Sequence, residues 1–322
     1  MIRTALLALG LALGAVSPGW AQAVGDYPSR PVHFIVPFAA GGGTDALSRI
    51  LGEAVGRRLG QAVVVENLGG AGGTIGVNQV ARAEPDGYTM LTATPSIVIT
   101  PYLQKGVAYD VARDFAAVIQ ATASPSVLVV PPESPIRTVA DLVAAARAKP
   151  GQVRYGTAGV GSFAHLSTAL FGAMAGVRLV HVPYRGTGPA LIDLLAGRLQ
   201  FQLENAPGVL AQIHSGQLRA VAVGTARAST LLPGLPTVAA DVPGYESSSW
   251  YGVLVPSRTP VAIVAKLNAV FNDALGDPVV QAQMAGLGVE RVGGAQLDFD
   301  VYLKARLAEM KAIAQTAGLV PQ

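Results

Sequence analysis

From Tyr27 onward the chain repeats one unit: a short apolar strand, a glycine-rich loop, then a helix with one apolar face. Val32 to Val36 leads into Pro37-Phe38-Ala39-Ala40-Gly41-Gly42-Gly43-Thr44-Asp45. Residues 45–59 then place Leu47, Ile50, Leu51, Ala54, Val55 and Leu59 on one side at helical spacing, and Gly60 ends the run. A strand at 62–66, the loop Gly69-Gly70-Ala71-Gly72-Gly73, a helix capped by Thr74 and running to Ala83, the turn Pro85-Asp86-Gly87 and a strand at 88–93 follow. Repetition of β-loop-α units implies a parallel sheet with helices on both faces. The fold class expected is therefore α/β.

Near Ser124-Pro125 a second series starts. It comprises a strand at 126–130, a helix opened by the box Thr138-Val139-Ala140-Asp141, a strand at 153–157 and a helix at 162–175. A strand at 179–183, a helix at 189–196 and strands at 199–203 and 218–223 complete it. Beyond a loop-rich stretch around Leu232-Pro233-Gly234, the chain passes Tyr245 to Trp250 into a strand at 252–255, and helices at 260–275, 278–286 and 295–317 close it. The expected organisation is two lobes, residues 24–124 plus 246–322 and residues 125–245, each a mainly parallel sheet flanked by helices. Two chain crossings between lobes make a cleft that closes by hinge motion.

Composition removes several classes of function. The 322 residues are 51% hydrophobic and 13% charged, with a formal net charge of +3, no Lys/Arg block and 6% aromatics. Nucleic-acid binding calls for a clustered basic face and is not expected. The absence of cysteine rules out a disulfide framework and thiolate chemistry. Met1-Ile2-Arg3, the apolar stretch 5–16 and Ala21-Gln22-Ala23 read as a secretory signal peptide, residues 1–23, cleaved after Ala23. No later stretch is long and apolar enough to span a bilayer. The expectation is a soluble, exported chain.

The candidate sites lie at strand-to-helix loops. Loop 41–45 has no Gly-Lys-Ser/Thr and so is no Walker loop. Its glycines either present amides to a small anion at a helix N-terminus or form a tight turn that Thr44 and Asp45 cap. Loop 69–73 lines a cleft or supports one. In 156–165, Gly159, Gly161 and Ala164 satisfy the loose pattern G-x-G-x-x-A, but Pro183-Tyr184-Arg185-Gly186 stands where a ribose-binding acid belongs. No nicotinamide or other cofactor is expected. Thr157 and Ser162 add hydroxyls to that loop, and His165 orients it or packs. Arg185 offers a fork for a carboxylate or sits on the surface, Thr187 can cap, Asn205 can bind a ligand and Glu204 faces water. Ser162 with His165 is the one pair that suggests a hydrolase, yet no G-x-S-x-G surrounds it. His33 reads as core, and His181 and His214 lack metal-ligand spacing, so no metal site and no catalytic residue is assigned.

Taken together, these loops have a familiar order. Tyr27-Pro28-Ser29-Arg30-Pro31-Val32, Ile35-Val36-Pro37-Phe38 before Gly41-Gly42-Gly43-Thr44-Asp45, and Val63 to Gly73 resemble the receptors of tripartite tricarboxylate transporters, the Bug proteins. Pro85-Asp86-Gly87-Tyr88-Thr89, His181 to Gly186, Asp193 to Gly197, Leu235-Pro236-Thr237 and Trp250-Tyr251-Gly252 continue the resemblance over the whole mature chain. It implies a periplasmic binding protein of two lobes, monomeric, that closes over a small organic carboxylate (a di- or tricarboxylate, or an aromatic one). It would deliver this to membrane permease subunits. The resemblance assigns the proximal carboxylate to Gly42, Gly43, Thr44 and Asp45 of one lobe and to Thr157, Gly161 and Ser162 of the other. His165 and Tyr184 stand beside these, while Thr94, Ser96, Arg185 and Asn205 would vary with the ligand's distal end. Ala39-Ala40 departs from the Pro-containing family pattern. The neutral Asn205 points to a ligand without an ammonium group, although Glu204 stands next to it. An exported serine hydrolase and a signalling receptor for a sensor kinase are the rival readings.

Overall fold

A computed structural model describes residues 26–316; the predicted signal peptide lies outside them. In chain order come β1 (Val32–Val36), α1 (Gly43–Leu59), β2 (Val63–Asn67), α2 (Thr74–Ala81), β3 (Thr89–Ala93) and the short helices α3 (Ser96–Ile99) and α4 (Val111–Asp114). β4 (Phe115–Val130), α5 (Val139–Ala148), β5 (Arg154–Thr157), α6 (Phe163–Ala175), β6 (Val180–Pro183) and α7 (Thr187–Leu195) follow. The last are β7 (Gln202–Asn205), α8 (Ala206–His214), β8 (Arg219–Val223), β9 (Ser248–Pro256), α9 (Val261–Gly276), α10 (Pro278–Gly286), β10 (Glu290–Arg291) and α11 (Gln296–Thr316).

The first lobe is built on the sheet β10-β4-β9-β3-β1-β2. β1 pairs in parallel with β2 and with β3, as β-loop-α units require, and β9 enters antiparallel to β3. Phe34, Leu51, Tyr251 and Phe271 form the core on one face, and Ile35, Leu91, Trp250 and Phe299 on the other. Because α1 must lie close on the sheet, Gly52 and Gly56 face it. A Cβ on Gly52 would come within 3.1 Å of Val65, and one on Gly56 within 3.1 Å of the Gln61 carbonyl.

β4 is the element that the sequence reading shortened. It runs 16 residues, pairing with β9 over Phe115 to Pro125 and then with β7 and β8 over Ser126 to Val130. One strand thus belongs to both sheets. The segment paired with β9 is alanine-rich and ends at Pro125, features that count against a central strand; the register shifts twice on the way. In the second lobe, the parallel pair β5–β6 reaches β7 through a bridge between Tyr155 and Phe201. The Thr138–Asp141 capping box is formed as read. Thr74, by contrast, sits inside α2, whose cap position is Gly73, with no side-chain cap bond.

Candidate functional site

Strands β1, β5, β6 and β7 all end at the facing edges of the two lobes, and each is followed by a helix of at least nine residues. The first turns or cap residues of α1, α6, α7 and α8 (Gly42 and Thr44, Ser162 and Phe163, Thr187, Asn205) line one small cavity. Each such helix end carries roughly half a positive charge on unpaired amides, so the common point favours an anion. Thr94, Ser96 and Ser249 add hydroxyl groups, while Phe38 and Phe163 supply apolar wall. The cavity holds about 20 Å³, on the order of one water molecule. Contacts between the lobes close it.

Those contacts explain the glycines. A Cβ on Gly43 would fall 2.4 Å from the backbone carbon of Pro207 in α8, and one on Gly42 would meet the Thr187 side chain at 3.6 Å. A Cβ on Gly72 would overlap the Val160 carbonyl at 1.9 Å. Thr100 Oγ1 donates to the Gly161 carbonyl at 3.3 Å, and Gln104 Nε2 donates to that of Val160. The Ala39 N–H donates to the Arg185 carbonyl at 3.3 Å. Loop 69–73 is thus part of the clasp between lobes rather than of the cavity wall.

Within the first lobe, Gly42 is the N-cap of α1 in extended conformation and makes no side-chain cap bond. Thr44, read as a cap, lies inside the helix and on the cavity wall. Asp45 turns back on its own loop: the Gly41 N–H donates to Oδ2 at 3.0 Å, and Arg49 pairs with Oδ1 at 2.9 Å. Burial works to raise its pKa, but the Gly41 amide and Arg49 together hold it below the usual carboxylate value. Its role in this geometry is to shape the loop.

Across the cavity, Ser162 caps α6, its Oγ accepting from the His165 N–H at 3.3 Å. Behind it, Thr157 is fully buried, accepts from the Gly159 N–H at 3.1 Å and lies 2.6 Å from His181 Nε2. The rings of His165 and His181 stack at 4.1 Å, and Tyr155 stacks on His181 at 5.2 Å. Burial lowers the pKa of His165; for His181, burial first and then the neighbouring imidazole push it down to about 4. His165 Nδ1 accepts from the Gly161 N–H at 3.2 Å. Ser162 therefore meets the backbone of His165, and His165 gives its Nδ1 to Gly161, which is not a nucleophile–base arrangement.

The third loop separates its members. Tyr184 donates to Asp193 at 2.5 Å, away from the cavity, and Arg185 is exposed. Thr187 does not cap α7; its Oγ1 donates to Glu204 Oε2 at 3.0 Å. Glu204, expected to face water, is buried in the cavity wall. The Asn205 N–H donates to Glu204 Oε1 at 2.9 Å, while Asn205 Oδ1 caps α8 by accepting from the Gly208 N–H at 3.2 Å.

Of the residues singled out from sequence, Gly42, Thr44, Thr94, Ser96, Ser162 and Asn205 therefore share the cavity wall. Gly43, Thr157, Gly161 and His165 support it from behind. Asp45 and Tyr184 are engaged elsewhere, and Arg185 lies on the surface. Sequence reasoning did not single out Phe38, Phe163, Ser249 or Glu204 as cavity residues. The position of Glu204 at the carboxyl end of a strand was a usable signal, since the other strands carry cavity residues there. Among the described residues, no three His, Cys, Asp or Glu side chains are grouped to hold a metal ion.

Comparison with known proteins agrees with this geometry. The family model described as "Tripartite tricarboxylate transporter family receptor" matches residues 47–319. The chain is 37% identical to the protein BugT of Bordetella pertussis over 91% of both chains. Among solved structures, the Rhodopseudomonas palustris protein Rpa4515, determined with adipate, is 38% identical, with a TM-score of 0.88 over 92% of this chain and all of that one. MatC of the same species, determined with bound malate, is 28% identical with a TM-score of 0.85, over 89% of this chain and all of that one. A two-lobed α/β chain whose strand ends converge on an anion-favouring cavity is a solute-binding receptor in architecture. This chain belongs to the tripartite tricarboxylate transporter receptor family.

Proposed function

We propose that this protein is an extracytoplasmic receptor that captures a small carboxylate, a di- or tricarboxylate or an aromatic one, by hinge closure. It hands the ligand to the permease of a tripartite tricarboxylate transporter and catalyses nothing. The observation that carries this reading is the convergence of four helix N-termini on one cavity sealed by contacts between lobes. The adipate and malate held by two relatives accord with it. A cavity of about 20 Å³ admits such a molecule only when the lobes part. The hinge would lie where the chain changes sheets, with one lobe at 24–124 plus 246–322 and the other at 125–245.

Gly42, Thr44 and Ser162 would hold the ligand's first carboxylate, with Gly43, Thr157, Gly161 and His165 fixing the loops. Thr94, Ser96 and Asn205 would meet its other end. Export by the signal peptide, with cleavage after Ala23, would place a monomer in the periplasm. No described helix is long and apolar enough to cross a membrane. Serine hydrolysis is disfavoured by the Ser162–His165 geometry described above. A thermal-shift panel of di- and tricarboxylates, aromatic carboxylates and amino acids tests the proposal. A ligand at 100 times its Kd adds about 2.7 kcal/mol, or roughly 5 °C or more in Tm. A panel without any carboxylate shift, or ester turnover lost in Ser162→Ala, would overturn it.

A further inference from the structure

Glu204 stands out in a cavity otherwise made to attract anions. It is 2% exposed and forms part of the cavity wall. Its two protein partners, the Thr187 hydroxyl and the Asn205 N–H, are both neutral donors. Among the described residues, the elements packed against it bring no cation: α6 and β5 lie on β7, and their His165 and Tyr155 are both kept neutral by burial. Val127 of β4 lies opposite in register, Gly208 of α8 would touch its Cγ at 2.9 Å with any Cβ, and Thr187 comes from α7. From the other lobe comes the Tyr251 phenol of β9, neutral because burial raises its pKa. The Tyr251 hydroxyl and the nearby cavity hydroxyl of Ser249 are both buried without a hydrogen-bond partner. Asp45, at the same end of α1 as Thr44, is committed to Gly41 and Arg49.

A carboxylate ligand drawn in by the helix ends would therefore share a small buried cavity with a second carboxylate and no counter-ion. Two like charges in one low-dielectric space favour protonation of one of them. We propose that Glu204 determines ligand specificity by acting in its acid form, donating a hydrogen bond to a carboxylate of the bound ligand. Binding of a dicarboxylate then takes up one proton. The inference rests on the receptor reading above. Burial already pushes the Glu204 carboxyl up to about 7, against the hydrogen bonds from Asn205 and Thr187 that lower it. A bound anion raises it further. Below that value the acid is present before the ligand arrives and affinity is flat. Above it the proton must be taken up, so affinity falls about tenfold per pH unit.

Isothermal titration of the full-length mature protein with glutarate and adipate, at several pH values from 6 to 9 and in two buffers of different ionisation enthalpy, tests this without any mutation. Uptake approaching one proton per ligand at pH 8, and the tenfold-per-unit weakening above pH 7, are expected. E204Q, which carries a donor at every pH, should lose that slope and bind adipate at pH 9 roughly 100-fold more tightly than the wild type does. Affinity that is flat from pH 6 to 9 with no proton uptake would overturn the proposal and leave the receptor reading standing. The same holds if E204Q abolishes binding while hydroxy or amino acids are the preferred wild-type ligands. A protein that binds no carboxylate at any pH overturns both.

Discussion

The third glycine of Gly41-Gly42-Gly43 has a stereochemical reason that no turn rule supplies. Its φ is ordinary, yet a Cβ there would fall 2.4 Å from the Pro207 backbone of the opposite lobe. The constraint exists only when the lobes are together. Gly43→Ala should therefore weaken carboxylate binding about 10- to 100-fold, the equivalent of ~1–3 kcal/mol of overpacking. The unliganded Tm should hold or rise, because alanine is the better helix former at that position. Unchanged affinity in calorimetry, with a normal Tm, would contradict the contact. At this scale the sequence was informative about loops and poor about directions. Gly42, Thr44 and Ser162 could be placed near a common cavity because each follows the carboxyl end of a strand that the alternation of strands and helices reveals. Glu204 could not, because an acid at the end of an apolar strand points to water unless a second lobe covers it. Asp45 and Arg185 show the converse. A charged residue in a ligand-binding loop can be spent on the loop itself or left on the surface, and only three-dimensional packing decides.

At the scale of elements, the column of Tyr155 on β5, His181 on β6 and His165 on α6 ties the second-lobe loop to its sheet. Both imidazoles are held neutral, with His181 at about 4 against an ordinary value of 6.5. The unfolded chain thus binds its proton first on acidification. The stability that neutral His181 contributes is complete above pH 6.5 and is lost as pH falls towards 4. The raised pKa of Glu204 has the opposite sign: over the window from about 4.5 to about 7 it makes the folded state more stable as pH falls. The clean readout is accordingly the difference between His181→Gln and the wild type, which should shift in the variant's favour between pH 6.5 and 4.5 in denaturant titrations. A difference independent of pH would show that the column does not titrate as described. Most strands and helices were legible within a residue or two from apolar spacing and glycine stops. β4 was not, since its alanines and Pro125 hide the pairing of Phe115 to Pro125 with β9 that only the partner strand reveals.

For the whole molecule, the division into two α/β lobes was legible because both halves repeat the same unit. What could not be read was that a single strand would be shared by both sheets, giving the lobes a continuous connection through β4 and a second where Ser247, bonded to Gly224, leads into β9. The hinge closure proposed above would bend at these two connections, moving the lobes as two bodies. The cavity lies between those bodies, and its walls come from both. In the proposed receptor a carboxylate is held jointly by Thr44 of one lobe and Ser162 of the other. The most direct measurement is calorimetric titration of a dicarboxylate that shifts the wild-type Tm into the double variant Thr44→Ala/Ser162→Ala. Loss of two hydroxyls in a buried anion site, each about 1.5–3 kcal/mol, predicts affinity at least ~100-fold weaker, while the free protein still unfolds cooperatively, less stable by about the 1 kcal/mol of the lost Ser162 cap. Binding of the same ligand to the double variant with wild-type affinity would remove these two loops from the site and contradict the account.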